Sequence, residues 1–179
     1  MSGELKGRKL IEIRGRDTRP TSDMVKESVF NIIQFDIEGR RVLDLFAGTG
    51  QLGIEALSRG ARLADFVDES AEAVRVINEN IRICGLGERS SVTRMDALTF
   101  LSRCGKNRYD IIFLDPPYES GLIEKSLQKI IEFDILRENG IIICESKMSR
   151  AFTGVLSPYG VIKDYRYGTV KITLIGRIF

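Results

Sequence analysis

The chain has 179 residues, 43% of them apolar and 29% charged, which suits one soluble domain with a full core and argues against disorder. Cationic side chains exceed acidic ones by only two, too few to imply nucleic acid, and the complete lack of histidine removes Ser-His and Cys-His nucleophiles, a histidine general base and histidine metal ligands. No run approaches a membrane span and the first residues lack the apolar core of a signal peptide, so a cytoplasmic protein without a membrane partner is expected, with Cys84, Cys104 and Cys144 as reduced thiols.

Residues 1–21 form a basic segment expected to be a solvated, flexible arm, with Lys9 to Ile13 as a candidate short strand or edge hairpin. Thr21 or Ser22 is placed to cap a helix from about Asp23 to Gln34, whose stripe of Met24, Val25, Ser28, Val29, Ile32 and Ile33 packs on the domain. From residue 40 the pattern alternates strand and helix. Strands are expected at Arg41–Phe46, Leu63–Asp68, Ser91–Met95, Tyr109–Leu114 and Gly140–Glu145, and helices at about 52–57, 71–84, 97–102 and 121–132. Two further strands, 161–167 and 169–175, are joined by a tight turn at Gly168. The prediction is an α/β fold in residues 22–179: a mostly parallel, Rossmann-like seven-stranded sheet with helices on both faces, a C-terminal antiparallel hairpin and a small N-terminal extension.

Phe46-Ala47-Gly48-Thr49-Gly50-Gln51-Leu52-Gly53 has the spacing G-x-G-x-x-G after a strand and opening a helix, with Asp68 closing the next strand. Glycines there let a ligand lie against backbone, and the following carboxylate can accept from ribose hydroxyls, which by itself also fits a nicotinamide enzyme. Asp44, inside the first strand, would repel a pyrophosphate and suits an amino group better. Asp96 either caps the next helix or accepts from an adenine amino group. Together the acids at 44, 68 and 96 favour a cationic nucleoside such as S-adenosyl-L-methionine.

Two of the four prolines fall in Asp115-Pro116-Pro117-Tyr118, directly after the most apolar strand. Proline has no N–H to continue a ladder, so the strand must stop and turn stiffly. The corner offers a carboxylate, proline carbonyls and a flat ring, and suits a planar substrate bearing an NH2 group.

These residues carry a resemblance. Asp44 to Gly50, Asp68, Asp96 and Asp-Pro-Pro-Tyr resemble class I S-adenosylmethionine-dependent amino methyltransferases, and Gly7-Arg8, Arg19-Pro20-Thr21 and Val29-Phe30-Asn31 make the chain similar to the RsmD family over residues 5–177. The resemblance implies an enzyme that methylates the exocyclic N2 of a guanine in 16S ribosomal RNA, within a small subunit or an assembly intermediate with its ribosomal proteins. It implies Asp115, Pro116, Pro117 and Tyr118 as catalytic residues, and Asp44, Phe46, Ala47, Gly48, Gly50, Asp68, Asp96 and Ala97 as cofactor-binding ones. Arg8, Lys9, Arg14, Arg16, Arg19 and Thr21 are the expected RNA contacts, with Lys147 as a further candidate; no metal and a monomer are expected. Rival readings are an amino methyltransferase of the same fold acting on adenine or on protein glutamine, and a non-catalytic RNA-binding assembly factor; Asp rather than Asn at 115 counts against glutamine.

Overall fold

The computed structural model describes residues 1–13, 20–117, 121–149 and 157–178, with the backbone alone for 20–23. Seven strands form one sheet: β1 (Arg41–Asp44), β2 (Leu63–Asp68), β3 (Ser90–Arg94), β4 (Tyr109–Leu114), β5 (Leu136–Lys147), β6 (Tyr159–Tyr167) and β7 (Val170–Arg177). Their order is β3-β2-β1-β4-β5-β7-β6, with the first five parallel and β7 antiparallel to both β5 and β6. The chain winds outward from β1 through β2 to β3, then returns to β1's other side with β4. Strand order therefore reverses between β1 and β4, where a crevice opens at the carboxyl ends of a sheet of this kind.

Helices α1 (Pro20–Ile32), α2 (Gln51–Ser58) and α3 (Ala71–Cys84) supply one core layer, and α4 (Ala97–Ser102) and α5 (Leu122–Glu132) the other. The β4 side chains divide between them, Ile111 and Phe113 facing the first layer, Ile112 and Leu114 the second. A strand buried on both faces must be apolar throughout, which is why this run is the plainest strand signal in the chain. At the amino ends of the strands Asp65 accepts from the Tyr109 hydroxyl at 2.6 Å and from Arg41 at 3.0 Å, and Asp110 accepts from the Arg41 N–H at 2.8 Å. Those acids are structural, and they leave the opposite end for chemistry.

Three expectations are corrected. First, α1 starts at Pro20, where a residue without an N–H loses nothing, so Thr21 and Ser22 lie in the first turn rather than capping it. On that helix Met24 is 65% exposed, and Phe30 is fully buried in its stead against Phe113, with ring centroids 5.8 Å apart. Second, residues 1–13 form no strand and no free arm. A single 3-10 turn (Gly3–Leu5) buries Leu5, the Ser2 N–H donates to the Glu55 carboxylate at 3.0 Å and the Leu5 N–H to the Ser58 hydroxyl at 2.9 Å. Gly3 has φ +70° and no room for a Cβ, which would sit 2.0 Å from the Ser58 carbonyl oxygen. Third, β5 starts at Leu136 instead of Gly140: it pairs Leu136 with Tyr109, bulges outward through exposed Arg137, Glu138 and Asn139, and resumes at Ile141 beside Ile111. Three polar residues in the bulge hide the strand's beginning from a pattern search.

Candidate active site

A crevice of about 240 Å³ lies at the strand-order reversal, at the carboxyl ends of β1, β4 and β5. Its walls include Lys26 and Val29 of α1, Asp44, the loop Phe46–Thr49, Phe113, Asp115, Glu145 and Ile172.

The loop is held from beneath by the two acids. Gly48 and Gly50 have φ of +56° and +78°, a region open to glycine at little cost, so the chain turns tightly with its N–H groups inward. The Gly48 N–H donates to Asp68 Oδ2 at 2.9 Å, and Asp68 Oδ1 accepts from the Ser70 N–H at 2.9 Å. The Gly53 N–H, in the first turn of α2, donates to Asp44 Oδ2 at 2.9 Å. Asp44 thus does from a neighbouring strand what an N-cap does from within the chain. Gly53 also lets α2 lie close on β2: a Cβ there would come 2.3 Å from the Phe66 ring.

Asn80 completes the support. This fully buried amide on α3 donates to the Thr49 carbonyl at 3.0 Å and to the Ile11 carbonyl at 3.1 Å, and accepts from the Ile11 N–H at 2.7 Å. The N-terminal segment is thereby tied to the glycine loop. Arg8 packs its guanidinium on the Ile83 carbonyl at the end of α3, a cation on the negative pole of a helix.

Charge is the site's second property. Burial pushes the Asp44 carboxyl up to about 7, against the pull of the Gly53 N–H and with the Asp68 charge adding to the rise. Asp115 is open to solvent as a residue, yet its carboxyl is crowded by protein; that crowding, then the charge of Glu145, then that of Asp44, raise its pKa well above the ordinary carboxylate range. The two neighbouring acids alone are enough to raise it. Asp115 is thus repelled by both Glu145 and Asp44, a strain that a bound cation would relax.

The structure brings Asp44, Phe46, Ala47, Gly48 and Asp115 together on the crevice wall. Asp68 stands behind the loop, and Asp96 takes its capping option, accepting from the Thr99 N–H at 2.8 Å, with Ala97 buried behind it. Pro116 is buried and Pro117 exposed at the end of β4. Arg14, Arg16, Arg19 and Tyr118 lie outside the described residues, as does the Thr21 side chain; Lys9 is exposed. Sequence reasoning passed over Glu145, although the rule that singles out Asp68, an acid at a strand's carboxyl end, applies to it equally. Lys26 gives no such signal. Asn80 gives one: an amide on the apolar stripe Ala73, Val76, Ile77, Ile81, Cys84 of α3 has to be satisfied by something.

Known proteins share this fold. The family model described as "Conserved hypothetical protein 95" matches residues 1–176. The chain belongs to this family. A Bacillus subtilis relative named "Putative rRNA methyltransferase YlbH" is 44% identical over 176 residues, 97% of this chain and 96% of its own. The Escherichia coli protein named "Ribosomal RNA small subunit methyltransferase D" is 30% identical over 177 residues, 99% and 88% of the two chains. The solved structure described as "Putative methyltransferase yhhF from Escherichia coli" is 30% identical and superposes with a TM-score of 0.87 over 99% of this chain and 96% of that one. The family is the RsmD family of the resemblance, and the fold, including its C-terminal antiparallel hairpin, is that of the class I methyltransferases.

Proposed function

We propose that this protein transfers a methyl group from S-adenosyl-L-methionine to the exocyclic N2 of a guanine in 16S ribosomal RNA. The observation that carries the reading is the meeting of an acceptor corner, Asp115-Pro116-Pro117, with a crevice whose three carboxylates favour a cation. The names of the relatives supply ribosomal RNA as the substrate class.

The donor set fits the cofactor. Phe46 to Thr49 offer backbone against which a nucleoside can lie, Asp68 borders that loop, and Asp44 offers negative charge to the cofactor's cationic groups. When bound, the cofactor supplies an electrophilic methyl group. The protein's own contribution is to the nucleophile. A guanine N2 lone pair is delocalised into the ring; acceptance of its two hydrogens by Asp115 and the Pro116 carbonyl steers the nitrogen towards a tetrahedral shape with the lone pair facing the methyl. Positioning of this kind lowers the barrier by several kcal/mol. As the N–CH3 bond forms and the S–CH3 bond breaks, the amine sheds a proton, and Asp115, whose pKa its neighbours raise, is placed to take it. Tyr118 would stack on the base, and Arg8, Lys9, Arg14, Arg16, Arg19, Thr21 and Lys147 would meet phosphates.

The test is incubation with methyl-labelled cofactor and small subunits from cells lacking the gene. Label is expected in the RNA; label in protein or in no product would contradict the reading.

A further inference from the structure

The four strands β4, β5, β7 and β6 carry one row of side chains that runs out of the crevice. Leu114 pairs with Cys144, so the next residues, Asp115 and Glu145, are level; Glu145 pairs with Ile172, and Ile172 with Tyr165. The first three line the crevice. The row towards the tip is parallel to it: Lys147 pairs with Val170, and Val170 with Tyr167. One row back, Ile143 pairs with Leu174, and Leu174 with Lys163. Side chains alternate faces along a strand, so Lys147, Lys163, Tyr165 and Tyr167 share the face of the crevice. Packing agrees: Tyr165 and Tyr167 rest half-buried on the core layer that holds Phe113, Ile143, Val170 and Ile172. The Lys163 ammonium sits 4.9 Å from the Tyr165 ring centroid and is exposed, as is Lys147.

We infer that Tyr165 and Tyr167, with Lys163 and Lys147 beside them, form a platform for the single-stranded RNA flanking the target guanine, the rings stacking its bases and the lysines meeting its phosphates. The inference rests on the proposed RNA substrate and extends it to a surface outside the Asp-Pro-Pro-Tyr corner. Three things favour RNA here. The strip is continuous with the crevice, three interstrand steps of about 4.8 Å placing Tyr165 about 14 Å from Asp115, room for the nucleotides next to a splayed base. Aromatic rings interleaved with lysines are the combination that holds single strands, because every base has a π-face and every linkage a charge. The two faces of β6 also differ: on the other side Asp164 accepts from the Thr173 hydroxyl at 2.5 Å and lies 3.7 Å from Lys171, and the Tyr159 ring is buried beneath Arg177 rather than presented to solvent.

The test uses the full chain, small-subunit RNA and intact small subunits lacking the modification, with KM, kcat and calorimetric cofactor affinity measured for each variant. Tyr165→Leu and Tyr167→Leu should each raise KM for naked RNA about tenfold, with kcat and cofactor affinity unchanged, and Tyr165→Phe should restore KM because it keeps the ring. Lys163→Ala should raise KM and flatten its salt dependence by about one counterion. Arg166→Ala, on the opposite face, should do neither. Normal KM in both leucine variants, or an equal effect of Arg166→Ala, overturns the platform while leaving the proposed function intact. A loss confined to assembled subunits also overturns it, since the strip would then read a ribosomal protein. If the wild type transfers no methyl to RNA, the proposed function fails and the platform with it.

Discussion

The carboxylate of Asp44, at the end of β1, accepts the Gly53 N–H at 2.9 Å and so anchors the first turn of α2 from the neighbouring strand. Sequence spacing presents Asp44 as a ligand residue only. The geometry gives it two duties that substitution can separate. Asp44→Asn keeps an acceptor for Gly53 and should leave chemical denaturation near pH 4, where Asp44 is protonated in the fold, nearly unchanged, while cofactor affinity at neutral pH falls at least tenfold. Asp44→Ala removes the cap as well and should cost about 1–2 kcal/mol.

Asp44 also sets a pH dependence. Its folded pKa of about 7 lies above the unfolded value of 3.8, so between the two the folded state binds more protons. Stability of the free protein should therefore fall as pH rises from about 4 to 7, by up to a few kcal/mol from this group, and Asp44→Asn should flatten that window in urea titrations. Binding has the opposite sign. A bound cation lowers the pKa, so cofactor binding should release protons near neutrality and tighten as pH rises through 7. Calorimetry in buffers of different ionisation enthalpy reads this directly. Because S-adenosylhomocysteine lacks the sulfonium charge, its binding should release fewer protons.

At the corner, Asp115→Ala should lower transfer at least a hundredfold with cofactor affinity within about threefold of wild type. A loss of binding as large as the loss of turnover would mark Asp115 as a cofactor residue instead.

Asn80→Ala leaves the Ile11 N–H and the Thr49 and Ile11 carbonyls without their partner. The expected cost is about 2–3 kcal/mol in thermal or urea denaturation, with weaker cofactor binding because the loop loosens. Asn78→Ala, on the exposed side of the same helix, should change neither by more than about half a kcal/mol.

Gly53→Ala forces a Cβ to 2.3 Å from the Phe66 ring, so it should destabilise by about 1–3 kcal/mol and be partly rescued by Phe66→Leu, an interaction that a double-mutant cycle measures.

Much of this molecule is legible in its sequence for identifiable reasons. The helix over 71–84 is called with both ends right because Ser70 caps it, accepting from the Ala73 N–H at 3.3 Å, and Gly85 closes it at φ +70°. β4 is plain because both its faces are buried. What escaped notice depends on contacts distant in sequence. Nothing local marks Leu5 as a buried anchor, since its partner Ser58 is 53 residues away, and a basic composition makes that segment look solvated. The periodic stripe of α1 omits Phe30, whose partner Phe113 lies on a strand far along the chain. Glu145 and Lys26 enter the site through sheet order and helix placement, which periodicity does not encode.

The central claim concerns one atom, the N2 of a guanine, and nucleoside analysis reads it. Small subunits lacking the modification, treated with the protein and labelled S-adenosylmethionine, are digested to nucleosides and separated by chromatography and mass. The account predicts label solely as N2-methylguanosine, absent with Asp115→Ala. Label as methyladenosine, or as guanosine methylated at a ring nitrogen, would contradict it.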